Sequence, residues 1–345
     1  MLRFARLALI APIVALTGLH ANAAPVSTTF KISCTFVTNG YSDSQRFSNP
    51  KGVFYNPKDH AVYVADTGNG QIVVVDSKGN PFVKLPHAVV DYSSGERKTS
   101  RGAPRGIVVR SNGDMLVTDN MCQYIDVLDF TGRSVEQVWP GDLLGIDRSR
   151  VRPGCIAIDG DGCIYISVSG DVNGILVLTP GLELKSKVGM VSGATGGMRA
   201  VTGLWVDKTG KIYATYAVGE CVCIYSPDGR ILHSFGTHDA GYANFSLPSG
   251  VVTDAQGDIW VLDTIRHSVT VFSQTTADSV IKTAVIHVMA GPGVDPGHFL
   301  FPSAISGDGD TKIFVLEGTG ARLQGFDISF NAASNASSRQ EGKGN

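Results

Sequence analysis

A short motif that recurs about every 50 residues is the feature that most constrains how this chain folds. Proline, a variable residue and glycine lead into an apolar segment at residues 50–52, 104–106 and 248–250. Weaker copies of the motif occupy residues 152–154, 201–203 and 302–304. The third positions of the six copies are 54, 48, 49, 47 and 54 residues apart. Repeats of this length are single structural units that bury their apolar faces only against neighbouring units.

Each unit continues with the same order of strand and turn signals. An apolar run leads to a turn rich in Asp and Gly, as at residues 159–162, where glycine supplies the positive φ of a tight hairpin. A second apolar run follows, such as residues 62–66 or 259–263, then a third and a more variable fourth. Four short strands in each unit, with few helical stretches, predict the blades of a β-propeller.

The two ends of the chain predict how the ring closes. The sixth unit lacks a fourth strand of its own, because the residues after Asp327 become small and polar. Residues 34–50 repeat the spacing of residues 234–248, where a fourth strand leads into the next unit. A first strand paired with the last blade would remove exposed sheet edges. We therefore expect an all-β, six-bladed propeller with four antiparallel strands per blade over residues 30–329, followed by a disordered tail at 330–345.

Two of the units resemble NHL repeats in detail. The similarity is carried by residues 47–53, 62–69 and 72–76 of the first unit, and by residues 245–251, 259–264 and 269–272 of the fifth. Membership of this family implies a six-bladed propeller. It leaves function open, because NHL propellers include protein-binding modules, RNA-binding modules and enzymes.

The N-terminal residues have the pattern of a cleaved signal peptide. Arg3 and Arg6 precede an apolar run at residues 7–19, and Ala21 and Ala23 provide small residues before a cleavage site. This run is shorter than the roughly 20 residues that span a bilayer. We expect a signal peptide at residues 1–23, export to the periplasm or the extracellular space, and no membrane anchor.

Charge and cysteine content narrow the classes of partner. The 29 Lys and Arg residues against 31 Asp and Glu residues give a net charge of −2, without the basic excess that nucleic-acid binding requires. The six cysteines include no C-x-x-C motif, so free thiols with one or two disulfides are expected rather than a redox site. We expect a monomer that binds a protein, a peptide or a small molecule, and no nucleic acid.

A column of acids closes the second strand in four units and is the first candidate site. Asp66, Asp119 and Asp263 would approach the channel mouth and offer oxygen ligands to calcium, with Glu317 in the sixth unit. Alternatively, each acid caps backbone N–H groups of the following turn. Loop residues expected on the same face complete the candidate binding surface: Asn69, Arg105, Asn120, Arg266, His267 and Arg322.

Enzymatic alternatives follow from the resemblance. Peptidylglycine amidating lyases are NHL-like propellers with a histidine-bound zinc and a calcium, and the segment around His267 resembles one of their repeats. In other units, the positions equivalent to His267 are Gly70, Gln123 and Glu220. These residues do not complete a zinc site with three protein ligands. A gluconolactonase-like site would use the acids with Asn69 or Asn120. No G-x-S-x-G nucleophile motif occurs. The sequence therefore predicts a binding or scaffold module, names no catalytic residue, and leaves a metal-dependent propeller enzyme as the alternative.

Overall fold

The structure, a computed structural model, describes residues 30–91, 98–193, 200–277 and 280–330. The predicted signal peptide and the predicted tail beyond residue 330 lie outside these residues. Before the first blade, the chain forms β1 (Phe30–Thr38) and the hairpin of β2 (Gly40–Ser42) and β3 (Gln45–Arg46).

Six blades follow in chain order. Blade one contains β4 (Gly52–Asn56), β5 (Ala61–Asp66), β6 (Gln71–Asp76) and β7 (Pro81–Pro86). A hairpin of β8 (Ala88–Asp91) and β9 (Lys98–Arg101) precedes blade two, which contains β10 (Pro104–Val109), β11 (Met115–Asp119), β12 (Ile125–Leu128) and β13 (Ser134–Val138). After the short helix α1 (Pro140–Leu144), blade three contains β14 (Val151–Ile158), β15 (Ile164–Gly170), β16 (Val172–Leu178) and β17 (Leu184–Ser192).

The second half repeats the pattern. Blade four contains β18 (Val201–Val206), β19 (Ile212–Tyr216), β20 (Val222–Tyr225) and β21 (Ile231–Phe235). Blade five contains β22 (Pro248–Thr253), β23 (Ile259–Asp263), β24 (Ser268–Ala277) and β25 (Val280–Ala290). Blade six contains β26 (Pro302–Gly307), β27 (Lys312–Glu317) and β28 (Arg322–Phe330). No helix within the described ranges is long and apolar enough to cross a membrane.

The N-terminal strand completes the sixth blade, as the sequence predicted. β1 pairs antiparallel with β28, with Phe30 opposite Phe330 and Thr38 opposite Leu323. Every blade is thereby a sheet of four antiparallel strands, and the predicted six-bladed, all-β propeller is confirmed. Because β1 supplies the fourth strand of blade six, the start and the end of the described chain meet in one sheet and close the ring.

The first strands of the six blades, β4, β10, β14, β18, β22 and β26, contact one another in a ring around a central channel. This close approach explains the glycine of the repeated motif. A Cβ at Gly52 would lie 2.2 Å from the carbonyl oxygen of Arg105, and one at Gly203 would lie 2.5 Å from the Cα of Gly250. Because no side chain fits at these distances, the spacing of the glycines records where neighbouring blades touch.

Side-chain donors join every blade to the next across this ring. In each case a hydroxyl or thiol donates to a backbone carbonyl at the entrance of the following blade. The six bonds are Thr67 to Pro104 (2.6 Å), Thr118 to Gly154 (2.7 Å), Cys155 to Val201 (3.6 Å), Thr202 to Pro248 (2.6 Å), Thr264 to Pro302 (2.8 Å) and Ser303 to Pro50 (2.8 Å).

Blade three departs from the predicted frame by one residue. Pro153 lies opposite Val168, as Pro104 lies opposite Asp119, so Cys155 occupies the place that glycine holds in blade two. Gly154 therefore takes the variable middle position of the motif. Cys34, Cys122, Cys155, Cys163 and Cys221 are free thiols, and Cys155 is half-buried at the channel.

Candidate functional site

The acids of the predicted column lie where expected, at the ends of second strands, and all of them are buried. Asp66 accepts hydrogen bonds from the Ser48 amide, the Asn69 side chain and the Gln71 side chain, each at 2.7 Å. Asn69 also donates to the Arg46 carbonyl at 2.8 Å. These contacts hold the loop that enters blade one against the turn that follows β5.

Asp263 and Asp119 also accept hydrogen bonds from within the protein, in both cases from backbone amides. Asp263 accepts from the amides of Ser246, Leu247, Ile265 and Arg266, at 2.6 to 3.1 Å. Asp119 accepts from the amides of Ala103 and Met121, both at 2.7 Å. The carboxylates therefore satisfy backbone donors that would otherwise be buried without partners.

Glu317 takes part in a buried ion pair rather than a metal site. It lies 2.5 Å from the Arg322 guanidinium and also accepts from the Leu300 amide at 2.7 Å. Arg322 further donates to the carbonyls of Gly293, Val294 and His298. Arg322 therefore ties the loop before blade six to the blade itself and is not offered to a ligand.

The predicted calcium ligands are not brought together. Asp66, Asp119 and Asp263 belong to different blades, and none of them lines the central cavity. Within the parts of the chain that the structure describes, no three His, Cys, Asp or Glu side chains are grouped to hold a metal ion. Asp119 and Asp263 cap amides of the turn that follows, as in the alternative, whereas the backbone amides bound by Asp66 and Glu317 belong to the loop that enters their blade.

His267 and Arg266 also have structural contacts. The His267 Nδ1 accepts from the Phe301 amide at 3.0 Å, and the two rings meet edge to face at 4.4 Å. The Arg266 guanidinium donates to the carbonyls of Asp239 and Gly241. Both residues therefore fasten loops of blade five to neighbouring loops.

The described histidines do not fit the zinc that the amidating-lyase resemblance implies. His267 is occupied with Phe301, and no histidine is among the residues that line the cavity at the channel mouth. No zinc chemistry is derived from this site.

A cavity of about 510 Å³ occupies the channel mouth on the face where the repeated motifs enter the blades. Of the residues predicted to bind, Arg105 and Asn120 line it. Its lining also includes an aliphatic ring, one residue from the first strand of each blade: Val53, Ile107, Ile156, Leu204, Val251 and Ile305. Ile107, Val251 and Ile305 are buried in the cores between blades, whereas Val53, Ile156 and Leu204 are half-buried. The cavity thus combines polar and apolar groups.

Two cations stand at this entrance without anionic partners. Lys51 and Arg105 are the middle residues of the first two motifs, and both line the cavity. Across the described residues, neither side chain has a carboxylate within 4 Å or a hydrogen bond. Partial burial lowers the pKa of Lys51, and the positive charge of Arg105 lowers it further. Like charges placed together in a partly dry cavity favour an anion between them.

The Arg105 guanidinium lies beside Gly154, where a Cβ would be 3.9 Å from the guanidinium carbon, an ordinary contact distance. Arg152 extends the positive sector and donates to the Asn120 carbonyl at 3.5 Å. Lys51 was not among the predicted binding residues, although it belongs to the motif that predicts the fold. The sequence signal for it is that the middle position of the motif is Lys or Arg in two adjacent blades.

Comparisons with known proteins agree with this architecture. An NHL repeat model matches residues 245–272. A probable peptidyl-alpha-hydroxyglycine alpha-amidating lyase of Caenorhabditis elegans is 28% identical over 155 residues, which cover 38% of this chain and 42% of that protein. The match therefore spans less than half of the length of the curated relative.

Solved structures share the fold at low sequence identity. Virginiamycin B lyase from Staphylococcus aureus superimposes with a TM-score of 0.55 at 14% identity, covering 87% of this chain and 99% of that one. A gluconolactonase from Xanthomonas campestris gives a TM-score of 0.55 at 14% identity, covering 81% and 86%. Likeness at this level of identity establishes architecture and not activity. The six four-stranded blades and the repeat match show that this chain is a six-bladed β-propeller that contains an NHL repeat at residues 245–272.

Proposed function

We propose that this protein is an exported binding module that captures an anionic ligand at the mouth of its central channel. The observation that carries the proposal is the pair of unpartnered cations, Lys51 and Arg105, in a cavity of about 510 Å³. Cavities of about 300 to 1,000 Å³ are typical of small-molecule sites.

The electrostatics of the pair support binding of an anion. An anion placed between Lys51 and Arg105 forms charge-assisted hydrogen bonds with both and relieves their repulsion. The guanidinium offers a planar pair of donors to a carboxylate, and the ammonium supplies a point charge. Arg105 lies on β10 and Lys51 directly precedes β4, so the backbone that carries each cation is held by a first strand.

A metal-dependent lyase is the second candidate, favoured by the similarity to the amidating lyase of C. elegans. It would act on the substrate class that this relative's name gives, a peptidyl-α-hydroxyglycine. The described residues provide no group of metal ligands for it. The binding module is therefore the function that the geometry supports better.

Thermal shift with defined small molecules tests the proposal. Benzoate, sulfate and phosphate would be compared with benzylamine and benzyl alcohol, which match benzoate in size but carry positive or no charge. We expect at least one anion to raise Tm, since a ligand that binds only the folded state stabilises it. Lys51→Gln combined with Arg105→Gln is expected to abolish the shift.

A matched variant separates the site from overall charge. Lys187→Gln combined with Arg133→Gln removes the same two charges from exposed positions on the outer parts of the blades. This variant should keep the anion response. An equal loss of response in both double variants, or no response to any anion in the unmodified protein, would refute the proposal.

A further inference from the structure

We infer that the ligand is an amphipathic carboxylate, with a single negative head group at Lys51 and Arg105 and an apolar body directed down the channel. The inference rests on the proposed anion-binding function and adds the chemistry of the rest of the ligand. It follows from which polar groups in the cavity already have partners and which do not.

Most hydroxyl groups around the cavity are already engaged. Thr202, Thr264 and Ser303 donate to carbonyls of the following blades. Ser249 is 2.7 Å from the Thr264 hydroxyl. These groups join the blades together and do not need a ligand to satisfy them. A sugar or another polyhydroxylated ligand would therefore find few free donors here.

The two unpartnered cations lie on adjacent blades. Lys51 comes from blade one and Arg105 from blade two, whereas Leu247 and Phe301 contribute apolar walls from the loops before blades five and six. Two neighbouring cations suit one anionic group. A second charge on the ligand would have to lie against these apolar walls without a partner.

The aliphatic ring receives the ligand's body. In blade one, Lys51 directly precedes β4 and Val53 is the second residue of that strand, about 7 Å further along the extended chain. Val53, Ile156 and Leu204 are only half-buried within the folded ring. A chain of about six carbon–carbon bonds covers that distance. A ligand of this length therefore places its head at the cations and its end among the aliphatic side chains.

Isothermal titration with two ligand series tests the inference. The tail series keeps the carboxylate and lengthens the chain from acetate through butyrate and hexanoate to octanoate. The head series keeps the eight-carbon chain and compares octanoate with octyl sulfate, octylamine and octan-1-ol. We expect Kd to fall about two- to fourfold for each methylene between butyrate and octanoate, as burial of apolar surface predicts. Octanoate should bind at least tenfold more tightly than octan-1-ol or octylamine.

Two channel variants locate the tail. Leu204 is half-buried and lines the cavity, so Leu204→Ala should remove apolar surface that the tail contacts. It is expected to weaken octanoate at least fivefold and leave acetate unchanged. Ile156→Ala removes another half-buried member of the ring and should also weaken octanoate. Leu232→Ala, on the outer strand β21 and 38% exposed, is the matched control and should change neither ligand.

The outcomes separate the inference from the proposed function. Anion binding that does not depend on tail length would overturn the inference and leave the anion site standing. Equal affinity for octanoate and octan-1-ol would remove the role of the cations and overturn both. Equal affinity for octyl sulfate and octanoate would extend the head group to other monoanions and overturn the carboxylate assignment. Octanoate binding that Leu232→Ala weakens as much as Leu204→Ala would place the tail outside the channel.

Discussion

Asp258 is a buried carboxylate that the fold tolerates at a cost, and its replacement by asparagine should stabilise the protein at neutral pH. Asp258 is 4% exposed, and within the described residues its Oδ2 has no hydrogen-bond partner. The neighbouring Asp254 differs, because it accepts from the amides of Gln256 and Asp258 and from the Trp260 indole. Burial, followed by the negative charge of Asp254, raises the pKa of Asp258 from 3.8 to about 6.

The size of the effect follows from this pKa. At 1.36 kcal/mol for each tenfold change, a rise from 3.8 to about 6 corresponds to about 3 kcal/mol. The folded state binds the proton more tightly than the unfolded state. The contribution of Asp258 to stability is therefore complete below pH 3.8 and is lost as pH rises through about 6. Asp258→Asn keeps the shape of the side chain and removes the titrating charge.

Urea unfolding at pH 7.5 and pH 4.5 measures the prediction. Asp258→Asn should increase the free energy of unfolding by about 1 to 3 kcal/mol at pH 7.5, and the gain should shrink at pH 4.5. Asp161→Asn changes the same charge at an exposed position and should stay within about 0.5 kcal/mol of the unmodified protein at both pH values. The reasoning fails if Asp258→Asn destabilises the protein at pH 7.5, or if its gain is the same at both pH values.

Three further predictions follow from the contacts of the blades and the channel mouth. Asp263→Ala should lower the free energy of unfolding, measured by urea titration, by about 3 kcal/mol or more, because several amides lose their acceptor. A loss below about 1 kcal/mol would contradict the capping role. Because the acids already accept backbone donors, EDTA should leave Tm unchanged, and a clear fall would restore the calcium prediction. The pKa of Lys51 is lowered, so anion affinity should fall as Lys51 loses its proton, at a pH below the usual range of a lysine. Binding titrations from pH 7 to 10 should show this fall in the unmodified protein and not in Lys51→Arg, and the same pH profile in both would contradict a role for Lys51.

The regular parts of the fold could be predicted because their causes are local and repeat along the chain. Glycine turns, apolar runs and the 50-residue spacing specify strands and hairpins without knowledge of distant contacts. Blade three shows the limit of this reasoning. Its motif reads as residues 152–154, yet strand pairing places Cys155 in the glycine position. Pairing partners rather than the motif fix the register.

The sequence alone determined that this chain forms a closed ring of six four-stranded blades, with the acids at the ends of second strands. Only the tertiary structure determined what those acids do, because their oxygens turn toward the amides of loops about 15 residues earlier in the chain. The same holds for the candidate site. Lys51 and Arg105 are 54 residues apart in sequence, and the packing of blade one against blade two brings them together. The repeated motif shows that both occupy its middle position, but their charges interact only after the blades have packed.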